Sequence, residues 1–252
     1  MTDWAWRIPF LSSFVLVAIG LYVRLKLTEA PIFIAALNKP KPKTLPMMEV
    51  IVTHFKPLFL GMLICIAGYV LFYIMIAFSQ IYAKSAPTVS EAGYAMGLGF
   101  SPQIFTALLM FSAVSLAITI TISGKYIDKV GRRIWLIWTT VGVALFGLVL
   151  PYFLENGTTL SLFWFLIIGM GLIGMGYGPL ASFLPELFPT HARYSGASLT
   201  YNIAGLFGAS VAAIIALPLN ANYGLKGVGI YLTLNAVLSL IGLWFITETR
   251  DR

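Results

Sequence analysis

Seven stretches of this chain are long, apolar and free of Asp, Glu, Lys and Arg at their centres. They run roughly over residues 8–23, 57–82, 102–123, 134–154, 160–184, 196–219 and 229–246. About 20 mainly apolar residues in a helix cross the hydrocarbon of a bilayer, so each stretch is expected to be a transmembrane helix. The first is the shortest and is expected to extend to Leu27, with Arg24 and Lys26 reaching back to the interface. A secretory leader competes for that segment alone, but no small-residue cleavage site follows it. Only 10% of the 252 residues are charged, against about 25% in soluble domains. So few charges exclude a soluble domain, a disordered chain and a nucleic-acid binder, despite the net charge of +7. The single cysteine excludes a disulfide framework and a cysteine-rich metal site. The expected fold is therefore all-α and integral to a membrane, with lipid around it.

The cations give an orientation. Thirteen of the sixteen Lys and Arg fall on one side of this arrangement: Arg24 to Lys56 in the first loop, Lys125, Lys129, Arg132 and Arg133 in the second, Arg193 in the third, and Arg250 and Arg252 in the tail. Arg7, Lys84 and Lys226 fall on the other. Cytoplasmic loops carry the excess of basic residues. This places the N-terminus outside and the C-terminus in the cytoplasm of a multi-pass inner (plasma) membrane protein. An odd number of spans agrees.

Two loops on the basic side hold most of the remaining polar chemistry. The second reads Gly124-Lys125-Tyr126-Ile127-Asp128-Lys129-Val130-Gly131-Arg132-Arg133, and its glycines permit tight turns. The third reads from Pro185-Glu186-Leu187-Phe188-Pro189 to Arg193-Tyr194-Ser195-Gly196, with Glu186 and Arg193 flanking a proline break. Charges near the membrane tend to pair. Asp128, Arg132 and Arg133 are expected to pair with Glu186, Arg193 and the N-terminal end of the 196–219 span, where a helix terminus favours an anion. Such contacts form either a latch between conformations or a plain topological anchor. His54 and His191 stand apart in sequence with no second ligand at metal spacing, and Cys65 reads as apolar packing. Asn156-Gly157-Thr158 matches a glycosylation sequon too close to the membrane to serve. Gly171, Gly174 and Gly178 share one helical face, for close packing or for a path lined by backbone.

These loops carry a resemblance. Gly124 to Arg133 resembles the G-x-x-x-D-[RK]-x-G-R-R signature of the major facilitator superfamily. Glu186-Leu187-Phe188-Pro189-Thr190 through Arg193-Tyr194-Ser195-Gly196-Ala197-Ser198, preceded by Tyr177-Gly178-Pro179, is similar to the loop between helices ten and eleven of its metabolite–proton symporters. That family includes carriers resembling those for shikimate, α-ketoglutarate, citrate, and proline or betaine. The opening Trp4-Ala5-Trp6-Arg7-Ile8-Pro9-Phe10 resembles the start of helix six. Glu29-Ala30-Pro31 and Thr247-Glu248-Thr249 resemble the acidic motifs after helices six and twelve. The resemblance implies helix six over residues 1–27, the central cytoplasmic loop over 28–56, and a C-terminal six-helix bundle over 57–252. It implies a secondary carrier that moves a small organic acid or zwitterion with H⁺ as coupling ion and no prosthetic group. Because a complete carrier has twelve helices, the chain is expected to be truncated or half-length. Its partner would then be the missing N-terminal half. The alternative is a non-transporting remnant or partner subunit that binds a full-length or N-terminal-half carrier.

By the same resemblance, the 57–82 and 160–184 spans line the central cavity. Tyr69, Tyr73 and Gln80 share roughly one face at four- and seven-residue spacing, with Tyr73 the first choice for substrate contact. Plain packing competes for Tyr69, and interface anchoring for Gln80 and Tyr82. Tyr177-Gly178-Pro179 is expected to break its helix, as a gate hinge or a static kink. Tyr201 and Asn202 are further binding candidates, with an ordinary interhelical hydrogen bond as the alternative for Asn202. Gln103, Ser112 and Ser115 are weaker ones. A retinal protein would need a Lys in 229–246, which has none. An intramembrane enzyme would need a nucleophile–base pair or metal ligands in the spans, and neither is present, so no enzyme is expected.

Overall fold

The structure is a computed structural model that describes residues 7–26 and 46–248. The chain divides into two compact units, Met1–Lys43 and Thr44–Arg252. In the first, helix α1 (Ile8–Lys26) carries the first apolar stretch and ends on Arg24 and Lys26. The motif residues Trp4, Ala5, Trp6, Glu29, Ala30, Pro31 and Thr249 lie outside the described residues.

The second unit is all helix apart from its loops. A short helix α2 (Pro46–Thr53), inside the loop expected at 28–56, packs on the helices that follow. Five helical stretches are long and apolar enough to cross a membrane: α3 (Phe55–Lys84), α4 (Pro102–Val130), α5 (Arg132–Glu155), α6 (Thr159–Glu186) and a 53-residue stretch, Arg193–Phe245. At about 1.5 Å per residue the last would be more than twice as long as hydrocarbon is thick. It reverses at Gly224, whose φ of 67° and ψ of −171° are not helical. Residues 193–223 are α7 and 225–245 are α8. Their antiparallel course is visible against α3. Gly208 packs on Tyr69, and Tyr73 donates to Ala213 O (3.3 Å), so α7 ascends with α3. Ser239 meets Leu63 and Ala67 while Gly242 meets Leu60 and Leu63, so α8 descends. The six spans expected in this part of the chain are all present.

Local chemistry sets the ends of the spans. Ser101 caps α4 by accepting from Ile104 N, ahead of Pro102 at the first helical position. Thr158 caps α6 by accepting from Ser161 N (3.2 Å). Gly131, at φ 98°, is the single residue between α4 and α5. At the opposite end, loop 85–101 folds back on the bundle. Leu98 and Phe100 donate to Tyr82 O and Ala83 O, Ser90 Oγ donates to Ala221 O (2.7 Å), and Asn220 Nδ2 donates to Ala95 O (3.1 Å). Between them, Leu71, Ile74, Met75, Phe78, Phe165 and Leu232 form a closed core.

Two expectations resolve here. The Gly171–Gly174–Gly178 face packs against α4. A Cβ on Gly174 would overlap Thr119 Oγ1 and lie 2.6 Å from Leu116 O, and one on Gly178 would overlap Ser123 Oγ. The face serves close helix approach, and Ser115 Oγ seals it with a bond to Ile167 O (3.0 Å). The break expected at Tyr177-Gly178-Pro179 does not occur, because α6 runs through Pro179 to Glu186. Pro179 has no N–H for Met175 O, but Trp135 Nε1 of α5 donates to that carbonyl at 2.9 Å.

Replacing Trp135 by Phe removes this donor and leaves Met175 O without a partner, a cost of about 1–3 kcal/mol. Thermal unfolding of purified protein is expected to show a lower midpoint for Trp135→Phe. In a Pro179→Ala background residue 179 recovers an N–H, and the same substitution is expected to cost clearly less.

Candidate functional site

A cavity of about 320 Å³ opens among α3, α4, α5, α6 and α7. Its aromatic walls are Tyr69 and Phe72 of α3, Tyr177 of α6 and Tyr201 of α7. Tyr69 and Tyr201 meet edge to face, with centroids 6.4 Å apart and planes at 83°. Gly205 and Gly208 make room for Tyr69, since a Cβ at Gly208 would lie 2.7 Å from its own Cβ. Phe72 and Tyr177 are exposed and stand at the mouth, together with Gly68. Thr139 and Thr140 of α5 also line the cavity; their hydroxyls donate to Trp135 O (3.0 Å) and Leu136 O (2.7 Å). No Asp, Glu, Lys, Arg or His lines it.

Of the residues singled out in the sequence, Tyr69, Tyr177 and Tyr201 come together here. Tyr73, Gln80 and Asn202 do not line this cavity. Tyr73 directs its hydroxyl to Ala213 O. Asn202 is exposed and donates to Ser198 O of its own helix (2.7 Å). Gln80 lies beyond a π-helical turn at Ile74–Phe78, which shifts the register that a 3.6-residue period assumes. A second π turn, Leu206–Ser210, interrupts α7 beside Tyr69. Ser112 and Ser115 spend their hydroxyls on Leu109 O and Ile167 O, and Gln103 is exposed. The cavity positions not singled out in the sequence include Phe72, Thr139 and Thr140; the polar pair inside an apolar span was the visible sign of the last two. Cys65 lines the cavity while remaining buried.

Charged groups gather at the end of the bundle that holds Gly131. Arg132 pairs with Glu186 at the C-terminal end of α6, and its Nη2 lies 3.8 Å from Asp128 Oδ1. Glu248 Oε1 and Oε2 accept from the backbone N–H of Arg132 and Arg133, both at 3.1 Å. A carboxylate thus sits on the N-terminus of α5, where the helix field favours it. Arg133 answers at the end of α8, donating from Nε to Leu243 O (2.7 Å) and from Nη2 to Trp244 O (3.0 Å). The single residue Gly131 makes this possible, since a Cβ there would lie 3.1 Å from Glu248 Oε2.

The partners differ in part from those expected. Arg193 donates to Phe188 O (3.3 Å), where a partner on the Asp128 loop was expected. The anion on a helix N-terminus is Glu248 on α5, where Asp128 on α7 was expected. Asp128 is 76% exposed, and Gly124 has open space around it. His54 and His191 share one partner: Glu49 of α2 lies 2.7 Å from His191 Nε2 and 3.8 Å from His54 Nε2. With Val50, Leu58, Phe188 and Ala192 buried beside it, this cluster fastens α2 to the turn after α6. Among the described residues no group of three or more His, Cys, Asp or Glu is placed to hold a metal ion.

A charged turn between two spans, tied to the ends of two others, matches the motif noted above. The Major Facilitator Superfamily model matches residues 1–213. The chain belongs to the major facilitator superfamily. It is 90% identical over all its 252 residues to a Haemophilus influenzae protein named for metabolite transport, covering 56% of that protein. It is 40% identical, over 99% of the chain, to an inner membrane metabolite transport protein of Escherichia coli K12, again covering 56% of the relative. To a proline/betaine transporter of Salmonella typhimurium the identity is 27%, over 99% of the chain and 50% of the relative. The chain therefore spans about half the length of the curated relatives it matches. No solved structure matches it.

Glu186 and Arg132 are each less than one-fifth exposed. Glu186→Ala is expected to lower the unfolding midpoint strongly, by a free energy approaching ~3 kcal/mol, because it strands a largely buried guanidinium. Asp128→Ala is expected to change stability by less than about 1 kcal/mol, its pair being largely in water. Parallel melts of both variants in one detergent check the order.

Proposed function

We propose that this chain forms the C-terminal six-helix bundle, with the helix before it, of a secondary carrier for a small zwitterion or organic acid. In this reading the carrier is coupled to H⁺ and uses no prosthetic group. The observation that carries the reading is the cavity itself, which is a walled space opening among helices long enough to cross a bilayer. Three of its four aromatic walls come from the helices expected to face a translocation path. The transport names of the relatives above support it, and none of those names is an enzyme's.

Proton coupling requires an ionisable group in or beside the path. The cavity lining offers no Asp, Glu or His to exchange a proton near neutral pH, so in this reading the coupling group belongs to a second bundle of similar size, the N-terminal half of the carrier. The charged end is the cytoplasmic one in this reading, following its basic loops. Arg132, Arg133, Asp128, Glu186 and Glu248 hold that end closed in one state. A latch works only if these contacts differ between states. Arg132–Glu186 ties α5 to α6, and Glu248 and Arg133 tie α5 to α8, so opening at this end moves those helices as a group or breaks the pairs.

The test pairs the chain with the N-terminal half of the 90% identical relative in sealed vesicles. With an inward proton gradient, labelled proline or betaine is expected to accumulate and to be released by a protonophore. The chain alone is expected to move nothing. Proton-driven uptake by the chain alone would overturn the placement of coupling in the other half. No uptake of zwitterions or organic acids by the assembled pair would overturn the carrier reading. In the working pair, Tyr201→Ala is expected to raise KM by about tenfold while leaving protein level unchanged, as loss of a ring against the solute requires.

A further inference from the structure

Two histidines and one carboxylate meet at the junction of α2, α3 and the turn after α6, outside the cavity. We propose that Glu49, His54 and His191 form a proton-binding site, and that taking up a proton there docks α2 on the bundle while losing it frees the helix. The proposal concerns the chain itself and does not rest on the carrier reading.

Little else holds α2 in place. Val50 is its one buried residue among those described, seated with Leu58, Phe188 and Ala192. Met47, Met48 and Val52 are all more than half exposed. Burying a single valine contributes about 1.5–3 kcal/mol, and a hydrogen bond to a charged group about 1.5–3 kcal/mol. The polar contact is therefore as large as the apolar one and decides whether the helix stays. His54 is the single residue between α2 and α3, with φ −115° and ψ 32° outside the helical range, so the chain already bends there.

Both imidazoles approach the same oxygen, Glu49 Oε1, with His191 Nε2 at 2.7 Å and His54 Nε2 at 3.8 Å. An ionised carboxylate only accepts, so His191 meets it with a proton on Nε2. A further proton, on Nδ1, makes the ring a cation and its bond charge-assisted, roughly twice as strong as a neutral one. His54 stands beyond hydrogen-bond distance and attracts the carboxylate only as a cation. Glu49 is 17% exposed, so water screens these contacts incompletely. The first added proton leaves the three groups neutral as a set, and a second is repelled by the first. The other ionisable groups on the elements that meet here are Lys56 and Tyr194, both exposed, Glu186, which pairs with Arg132, and Arg193, which donates to Phe188 O. Histidine changes charge between about pH 5 and 8. Docking brings the carboxylate to the imidazoles and favours the proton, so by linkage the proton favours docking. The docked share is high on the acid side of that range and falls as the pH rises through it.

The test puts spin labels on the purified full chain at Met48→Cys in α2 and Trp138→Cys in α5, both exposed positions, in a Cys65→Ala background. Pulsed electron paramagnetic resonance then reads the distance between them at about pH 6 and about pH 8, on either side of the middle of the histidine range. A docked α2 gives one narrow distance and a freed α2 a broad spread. The ratio of docked to free chains is expected to be at least about threefold higher on the acid side, the size of a partly screened ion pair. Replacing both histidines, His54→Gln together with His191→Gln, leaves amides that can donate to Glu49 and is expected to flatten the response. His191→Arg, charged throughout, is expected to hold α2 docked at both pH values, which separates loss of the response from loss of the helix. The same ratio at both pH values with both histidines present would overturn the proposal, as would a ratio that falls on the acid side. So would a response that survives the double replacement, because the proton would then be bound elsewhere.

Discussion

Hydrocarbon offers no partner to a backbone N–H or C=O, and the shape of this bundle follows from that. One departure from a regular helix is answered directly by a neighbour. Pro179 frees Met175 O, and Trp135 reaches across from α5 to bond it. Ser239 Oγ accepts a hydrogen bond from Ala67 N and donates one to Leu63 O, tying α8 to α3 through polar backbone. Thr233 Oγ1 bridges from α8 to Ala144 O on α5. The packing of α4 on α6 follows the same economy, with Gly174 and Gly178 bringing backbone against backbone where a side chain would hold the helices apart.

Fixed charge is confined to the ends of the spans, and its arrangement there is specific. Two adjacent arginines act in opposite directions. Arg132 reaches to Glu186 on α6, while Arg133 reaches to the last carbonyls of α8. Glu248 completes the exchange by accepting from both of their backbone amides. The result is a charged plate under α5, α6 and α8, with Asp128 of α4 at its wet edge. The Glu49 cluster lies at the same end and joins α2 to the turn after α6 by a separate contact. Between this plate and loop 85–101 lies the aromatic cavity, whose lining is mostly apolar.

How much of this could be read from the sequence depended on the range of the interaction. The spans were legible because hydrophobic length is a local property, and the reversal at Gly224 separates two stretches already distinct in sequence. Tyr69 and Tyr201 were legible as polar rings inside apolar runs. Gln80 falls outside the cavity because spacing was counted on a 3.6-residue period that the π turn at Ile74–Phe78 interrupts; Tyr73, which precedes that turn, directs its hydroxyl to Ala213 O. The glycine face of α6 was visible as a face, but periodicity does not say what packs on it. Asn202 had a partner four residues back along its own helix, which no pattern distinguishes from a ligand contact. Glu248 was visible as a motif residue only, since its partners lie 115 and 116 positions away.

That separation has a consequence for how the protein is made. The ribosome delivers Arg132 and Arg133 long before Glu248, and α6, α7 and α8 must all be synthesised in between. Until then the first turn of α5 lacks its carboxylate, and Arg133 has no helix end to hold. The plate therefore closes late in biogenesis, when the last span is in place, and a chain stalled or mis-threaded before α8 leaves two arginines beside an unfilled helix terminus. Correct insertion of the final helix thereby completes the contacts of a turn made over a hundred residues earlier.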